Sequence, residues 1–135
     1  MRKASPPNIF ISHPSFPPRT IQELVHTAKN EPGKINFGTG GVGTGMHLAA
    51  VLFQARAGIR MNHVPYKGAG PALTDLIGGQ VHMLITGYPG ALPHIKAGRL
   101  RALGVTGAKR LPAAPDLPTI GEQGFPGFRA WSASR

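Results

Sequence analysis

The sequence predicts an α/β fold: a single doubly wound, mostly parallel sheet with helices on both faces. Three observations lead there. Short β-favouring runs alternate along the chain with amphipathic stretches of about ten residues, the order that builds a parallel sheet. The nineteen glycines and fourteen prolines stand between apolar segments, so they punctuate many short elements. The densest glycine run joins a strand to a helix, and open sheets bind ligands beyond such strand ends.

The elements follow in order. Asn8 to Ser12 is a short β-favouring run. Thr20 to Glu31 carries Ile21, Leu24, Val25 and Ala28 at helical spacing, with Thr20 as N-cap and Pro32-Gly33 as the stop. Ile35 to Phe37 is a strand, and Thr44 to Ala57 a second helix closed by Gly58. Arg60 to Val64 reads as a strand. Gly70-Pro71 opens a third helix through Ile77, because proline suits the first helical turn, and Gly78-Gly79 ends it. Val81 to Thr86 is an apolar strand, Ala91 to Ala97 a helix capped by Gly98, and Leu100 to Thr106 the last strand. Thr119 and Glu122 have the spacing of a capping box for a final short helix before Phe125 to Trp131. At 135 residues the chain suffices for one core, so residues 1–135 are read as one lobe with irregular ends at 1–7 and 132–135.

Function is written most clearly in the run Asn36-Phe37-Gly38-Thr39-Gly40-Gly41-Val42-Gly43-Thr44-Gly45-Met46-His47-Leu48. A strand that ends in such a turn and restarts as a helix aims several unpaired N–H groups one way, and the helix dipole adds positive potential there. A carboxylate or phosphate is favoured at that spot. Glycine lets the backbone approach the anion closely. The competing reading is a tight turn with no ligand.

Net charge is +10, from fifteen Lys and Arg against five Asp and Glu. The cations are spread, in runs of no more than two, without the interleaved aromatics that stack bases. The chain therefore reads as a basic surface that attracts small anions, and not as a nucleic-acid module. Gly38 to Gly43 satisfies G-x-G-x-x-G, but no acid lies between Glu31 and Asp75 to hold a ribose. A Rossmann-like nucleotide-binding domain is the alternative. Six histidines show no metal spacing, there is no cysteine, and no G-x-S-x-G turn occurs, so neither metal, cofactor nor catalysis is expected. No apolar stretch is long enough to span a membrane, and the basic start has no apolar h-region after it, so no signal peptide is visible.

A series of motifs carries a resemblance. Ile35 to Gly43 with His47-Leu48 is followed by Val64-Pro65-Tyr66-Lys67-Gly68, Gly70-Pro71-Ala72-Leu73 with Asp75-Leu76, and Gly78-Gly79-Gln80-Val81. Ala91 to Gly98, Leu103 to Thr106, and Pro115 to Ile120 with Glu122 and Gly124 continue it. In this order, over roughly residues 8–131, the chain resembles the Bug family, the periplasmic solute-binding proteins of tripartite tricarboxylate transporters. The resemblance implies one lobe, the second, of a type II periplasmic-binding-protein fold. It implies a clamshell that closes on a small organic carboxylate and delivers it to a membrane permease, periplasmic and without enzymatic activity. Only this lobe corresponds, so the chain reads as a truncated or non-transporting form. Exposed surfaces left by the other lobe suggest a homodimer through Phe125, Phe128 and Trp131.

The candidate ligand-binding residues are Thr39, Gly40, Gly41, Gly43, Thr44, His47, Tyr66 and Lys67. Thr39 and Thr44 offer hydroxyls beside the amides of Gly40, Gly41 and Gly43, although Thr44 serves equally as an N-cap. His47 lies one turn into the helix, facing either the ligand or the core. Tyr66 and Lys67 follow a strand at the cleft end, where Lys67 supplies a point charge or is merely solvated. Asp75 is read as ordering the loop before it. Many relatives carry an acid near Thr86-Gly87-Tyr88, where Gly87 has no side chain to offer.

Overall fold

The computed structural model describes residues 8–40, 45–126 and 128. Five strands form one sheet: β1 (Asn8–Ser12), β2 (Asn36–Thr39), β3 (Asn62–Pro65), β4 (Met83–Gly87) and β5 (Arg101–Val105). Four helices alternate with them: α1 (Ile21–Asn30), α2 (Gly45–Ala57), α3 (Ala69–Ile77) and α4 (Tyr88–Lys96). The strand order is β3-β2-β4-β1-β5. β2 runs parallel to β3 and β4, whereas β1 is antiparallel to both β4 and β5. Four of the five strands thus run the same way, as expected of a mostly parallel sheet, but the reversed strand in the interior makes two of the four pairings antiparallel, so the sheet is mixed.

β1 can occupy that place because Ile9, Phe10 and Ile11 are apolar on both faces of the strand. Phe10 points to one layer, where it meets Ile21 and Leu24 of α1 and Phe53 of α2. Ile9 and Ile11 point to the other, with Ala72 and Leu76 of α3 and Ala91 of α4. Alternation along a strand therefore feeds two cores, one under each pair of helices.

Local chemistry sets the helix ends. Thr20 Oγ1 accepts the Glu23 N–H at 3.1 Å and caps α1, and Glu23 Oε1 accepts the N–H of Arg19, the residue before the cap, at 2.9 Å. α4 starts at Tyr88, earlier than the expected Ala91, because Pro89 in its first turn is already set at a helical φ. The final helix is a single 3₁₀ turn, Gly121–Gln123, and its capping box is formed: Glu122 N–H to Thr119 Oγ1 at 3.1 Å, Thr119 N–H to Glu122 Oε2 at 3.2 Å. The buried Gln123 accepts the Ile21 N–H at 2.9 Å and donates to Leu103 O at 2.8 Å, tying this turn to α1 and β5. Gly104 makes room for it, since a Cβ there would lie 2.9 Å from Gln123 Nε2.

The same turn carries a pH prediction. Arg110 pairs with Glu122 through Nε and Nη2, and that bond, followed by the Thr119 amide, holds the Glu122 carboxyl down at about 2 from 4.5. A depressed carboxylate contributes stability above its unfolded value and loses it as pH falls from 4.5 towards 2. The pair is exposed and screened, so the contribution is small. Urea midpoints of wild type and Glu122→Gln should differ at pH 7 and converge on acidification across that window. A gap that stays constant with pH would contradict the pairing.

Candidate functional site

Parallel β2, β3 and β4 end on the same edge of the sheet, and their loops meet there. Thr39 is in register with Pro65, and the Tyr66 N–H donates to Thr39 O at 3.0 Å, extending the pairing past the end of β3. A Cβ on Gly40 would come within 3.9 Å of the Gly68 main chain. The turn leading into α2 therefore begins against the loop after β3. Gly41, Gly43 and Thr44 lie outside the described residues.

The glycines of the run have different reasons to be there. A Cβ on Gly38 would stand 2.9 Å from Tyr66 Cε2 and 3.1 Å from Leu84 Cδ1. Tyr66 cannot yield easily, because its hydroxyl donates to Asp75 Oδ2 at 2.8 Å. Burial, and then that bond, raise the Tyr66 phenol to about 12. Gly38 is thus a packing glycine. At Gly40 the nearest obstacle is Met46 Cε at 3.1 Å, the far end of a flexible side chain. Gly38→Ala should cost about 1–3 kcal/mol by overpacking, and Gly40→Ala distinctly less. Equal denaturant midpoints for the two variants would refute the distinction.

The side chains of the candidate residues are not all presented to solvent at this edge of the sheet. Thr39 is fully buried, and its Oγ1 lies 2.6 Å from His63 Nε2. It shares a strand face with the buried Phe37, so its hydroxyl points inward and is not presented to solvent. Tyr66 is half-buried with its hydroxyl committed to Asp75, and Lys67 is exposed beside it. Asp75 orders the Tyr66 loop through this bond. His47, half-buried in the first turn of α2, stacks on His63 with centroids 4.6 Å apart and planes 15° apart.

His63 is the residue that sequence reasoning missed. Its other ring face lies on Phe37, with centroids 5.0 Å apart. Burial first, then the neighbouring His47, lower its pKa below the ordinary 6.5. The available signal was register: a histidine near the end of the strand beside the glycine run. Among the described residues, no group of three His, Cys, Asp or Glu is placed to hold a metal ion.

Two other surfaces bear on function. An apolar groove of about 610 Å³ runs between α4 and residues 111–117, lined by Ile9, Leu92, Ile95, Leu111 and Leu117. Arg101 borders it, but its guanidinium is spent on the carbonyls of Phe16, Pro18 and Pro14. Among the described residues that line the groove, no other Lys or Arg is present. The expected dimer surface is corrected. Phe128 is buried and Phe125 half-buried, both edge-on to Phe53 at 6.2 and 5.6 Å, so they fill the core. Trp131 lies outside the described residues. Large exposed aliphatics sit instead on the outer face of α2, at Leu48, Val51 and Leu52. Three side chains are a small fraction of the roughly 800 Å² per partner that a stable interface buries.

Comparison with known proteins gives a consistent result. The family model described as the tripartite tricarboxylate transporter family receptor matches residues 2–134. BugT of Bordetella pertussis is 38% identical over 124 residues, which are 92% of this chain and 38% of BugT. A UPF0065 protein of Pseudomonas sp. strain P51 is 46% identical over 82% of this chain and 33% of its own length. An R. palustris protein solved with adipate superposes with a TM-score of 0.91 at 37% identity, over 97% of this chain and 44% of the other. MatC from Rhodopseudomonas palustris, with bound malate, gives 0.87 at 27% identity, over 96% of this chain and 44% of MatC. The chain thus spans between a third and a half of these relatives. It has the fold of one lobe of a periplasmic binding protein. The chain belongs to the tripartite tricarboxylate transporter family of receptors.

Proposed function

We propose that this chain is the second lobe of a solute-binding receptor and holds one carboxylate of a small organic acid on the backbone amides of the turn between β2 and α2. It binds the acid without transforming it, in the periplasm, and in a complete receptor hands it to permease subunits. The observation that carries this reading is the near-complete superposition on a protein solved with adipate. The glycine turn opens at the carboxyl edge of β2, beside the loop after β3, where open α/β sheets take ligands. The dinucleotide alternative finds no support, since β3 ends Val64-Pro65 with no acid for a ribose.

Titration with adipate and malate, followed by amide NMR, tests this. The Gly40 amide and its neighbours in the turn should move, and uncharged adipamide should leave them in place. Gly41→Val should abolish the response while the dispersed spectrum of a folded core persists, because a β-branched side chain obstructs close approach to the anion. Shifts concentrated elsewhere, with the turn unmoved, would sink the assignment.

A further inference from the structure

Two apolar surfaces of the described chain stay open on opposite sides of the sheet, and they complement each other. The first is the outer face of α2. Its inner face places Ala49, Ala50, Phe53 and Ala57 in the core. Its outer face carries Leu48, Val51, Leu52 and Ala55, all exposed, at the i, i+3, i+4, i+7 spacing of a stripe that helices usually bury. Polar and charged side chains normally fill the solvent face of a helix, as Glu23 and Lys29 do on α1. Among the exposed residues described on α2, only Arg56 is charged, one turn beyond Leu52.

The second surface is the groove of about 610 Å³ between α4 and residues 111–117. One wall is Tyr88, Leu92 and Ile95, and the other includes Leu111 and Leu117. Asp116 lines the groove too, exposed and in no ion pair among the described residues, the nearby Arg110 being bonded to Glu122. Such a slot suits an apolar helix face, whose i, i+3, i+4 and i+7 side chains act as anchors.

We propose that this chain associates head to tail with further copies of itself, the α2 stripe of one seated in the α4 groove of the next. Three features select a second copy as the occupant. The lengths agree: Leu48 to Ala55 and Tyr88 to Ile95 each run from i to i+7, about 10 Å of helix. The charges agree, because Arg56 gives only its Nη2 to the Pro126 carbonyl and keeps donors for Asp116 of the next copy. The placement agrees as well. The stripe lies over the layer of Phe10 and Phe53 and the groove in the layer of Ile9, so the two cannot meet within one molecule. Each copy therefore offers one stripe and one groove, a heterologous contact that stays open and grows with concentration. It is weak, since four anchors fall well short of the roughly 800 Å² per partner of a stable interface.

Sedimentation equilibrium across a concentration series tests this. Weight-average mass should stay near 14.2 kDa at about 10 μM and rise about twofold or more by about 1 mM, the response of a contact with millimolar Kd or somewhat tighter. Leu52→Glu spoils the stripe and keeps the groove, whereas Leu92→Glu does the reverse. Each alone should remain at 14.2 kDa, while their equimolar mixture should approach twice that mass and stop there, because one usable stripe and one usable groove remain between them. Leu92 borders the groove without belonging to the buried core, and its variant should fold. Should it not, charge reversal decides: Arg56→Asp and Asp116→Arg should each weaken association roughly threefold, and mixing them should restore it. A wild-type mass that never leaves 14.2 kDa overturns the proposal. So does a mixture of the glutamate variants that stays monomeric, a charge-reversed mixture no heavier than its parts, or wild-type association in either glutamate variant alone, which would mean that other surfaces pair.

Discussion

Phe53→Ala is expected to remove about 3–5 kcal/mol of folding stability, the cost of emptying an aromatic site in a packed core. Phe53 is fully buried on the inner face of α2. It meets Phe10 of β1 edge-on, with centroids 5.1 Å apart and planes at 86°, and it receives Phe125 and Phe128 on its other sides. One ring thus joins the interior strand, the helix that follows the glycine turn and the end of the described chain. A cavity there loses dispersion contacts from three aromatic rings at once, and edge-to-face pairs each add about 0.5–1.5 kcal/mol beyond their buried area. A domain of this size holds roughly 5–15 kcal/mol in total, so much of its margin would go. The neighbouring Leu52 is 39% exposed, and Leu52→Ala should stay within about 1 kcal/mol of wild type. Chemical denaturation of the two variants side by side checks the claim. A loss below about 1.5 kcal/mol for Phe53→Ala would mean that the aromatic cluster is not the joint described.

The same cluster shows where sequence reasoning succeeds and where it stops. Local signals were legible because their causes are local. The Thr20 cap, the stop at Gly33 with φ 76°, the Gly98 cap with φ 79°, and the Thr119–Glu122 box all occur where the residues placed them. The strand before the glycine run and the helix after it were legible for the same reason. Partnership across the sheet was not. Nothing in Asn8 to Ser12 says that β1 inserts reversed between β4 and β5, although its unbroken apolar run fits an interior strand. Phe125 and Phe128 looked exposed because their partner, Phe53, is more than seventy residues away in the chain. Thr39 is a different kind of miss. Strand periodicity puts it on the same face as Phe37, which points inward, so its burial could have been read from the pattern. Its partner His63 needed the β2–β3 register, which only the fold supplies.

The largest functional effect concerns affinity: the isolated chain is expected to bind adipate or malate weakly, with Kd on the order of millimolar or worse. The chain corresponds to 44% of the solved relatives that carry these acids, so a second lobe's worth of contacts is not on it. A carboxylate seated on the turn keeps one side in water. Its charge-assisted bonds then act in high dielectric, where a unit pair at 4 Å is worth about 1 kcal/mol, compared with about 4 kcal/mol at the effective dielectric of a protein surface. Salt weakens it further, since the Debye length at physiological ionic strength is about 8 Å. The exposed Lys67, offered to the second carboxylate of a diacid, is a flexible point charge that gains little on pairing in solvent. Closing a second lobe over the ligand would remove both deficits. A recovery of about 3–4 kcal/mol corresponds to roughly a hundredfold to a thousandfold in Kd. Calorimetry on a sample shown by light scattering to be monomeric, at 14.2 kDa, decides the matter. Affinity in the micromolar range for such a monomer would mean that the turn and its loops complete a site unaided. The role assigned to the second lobe would then be wrong.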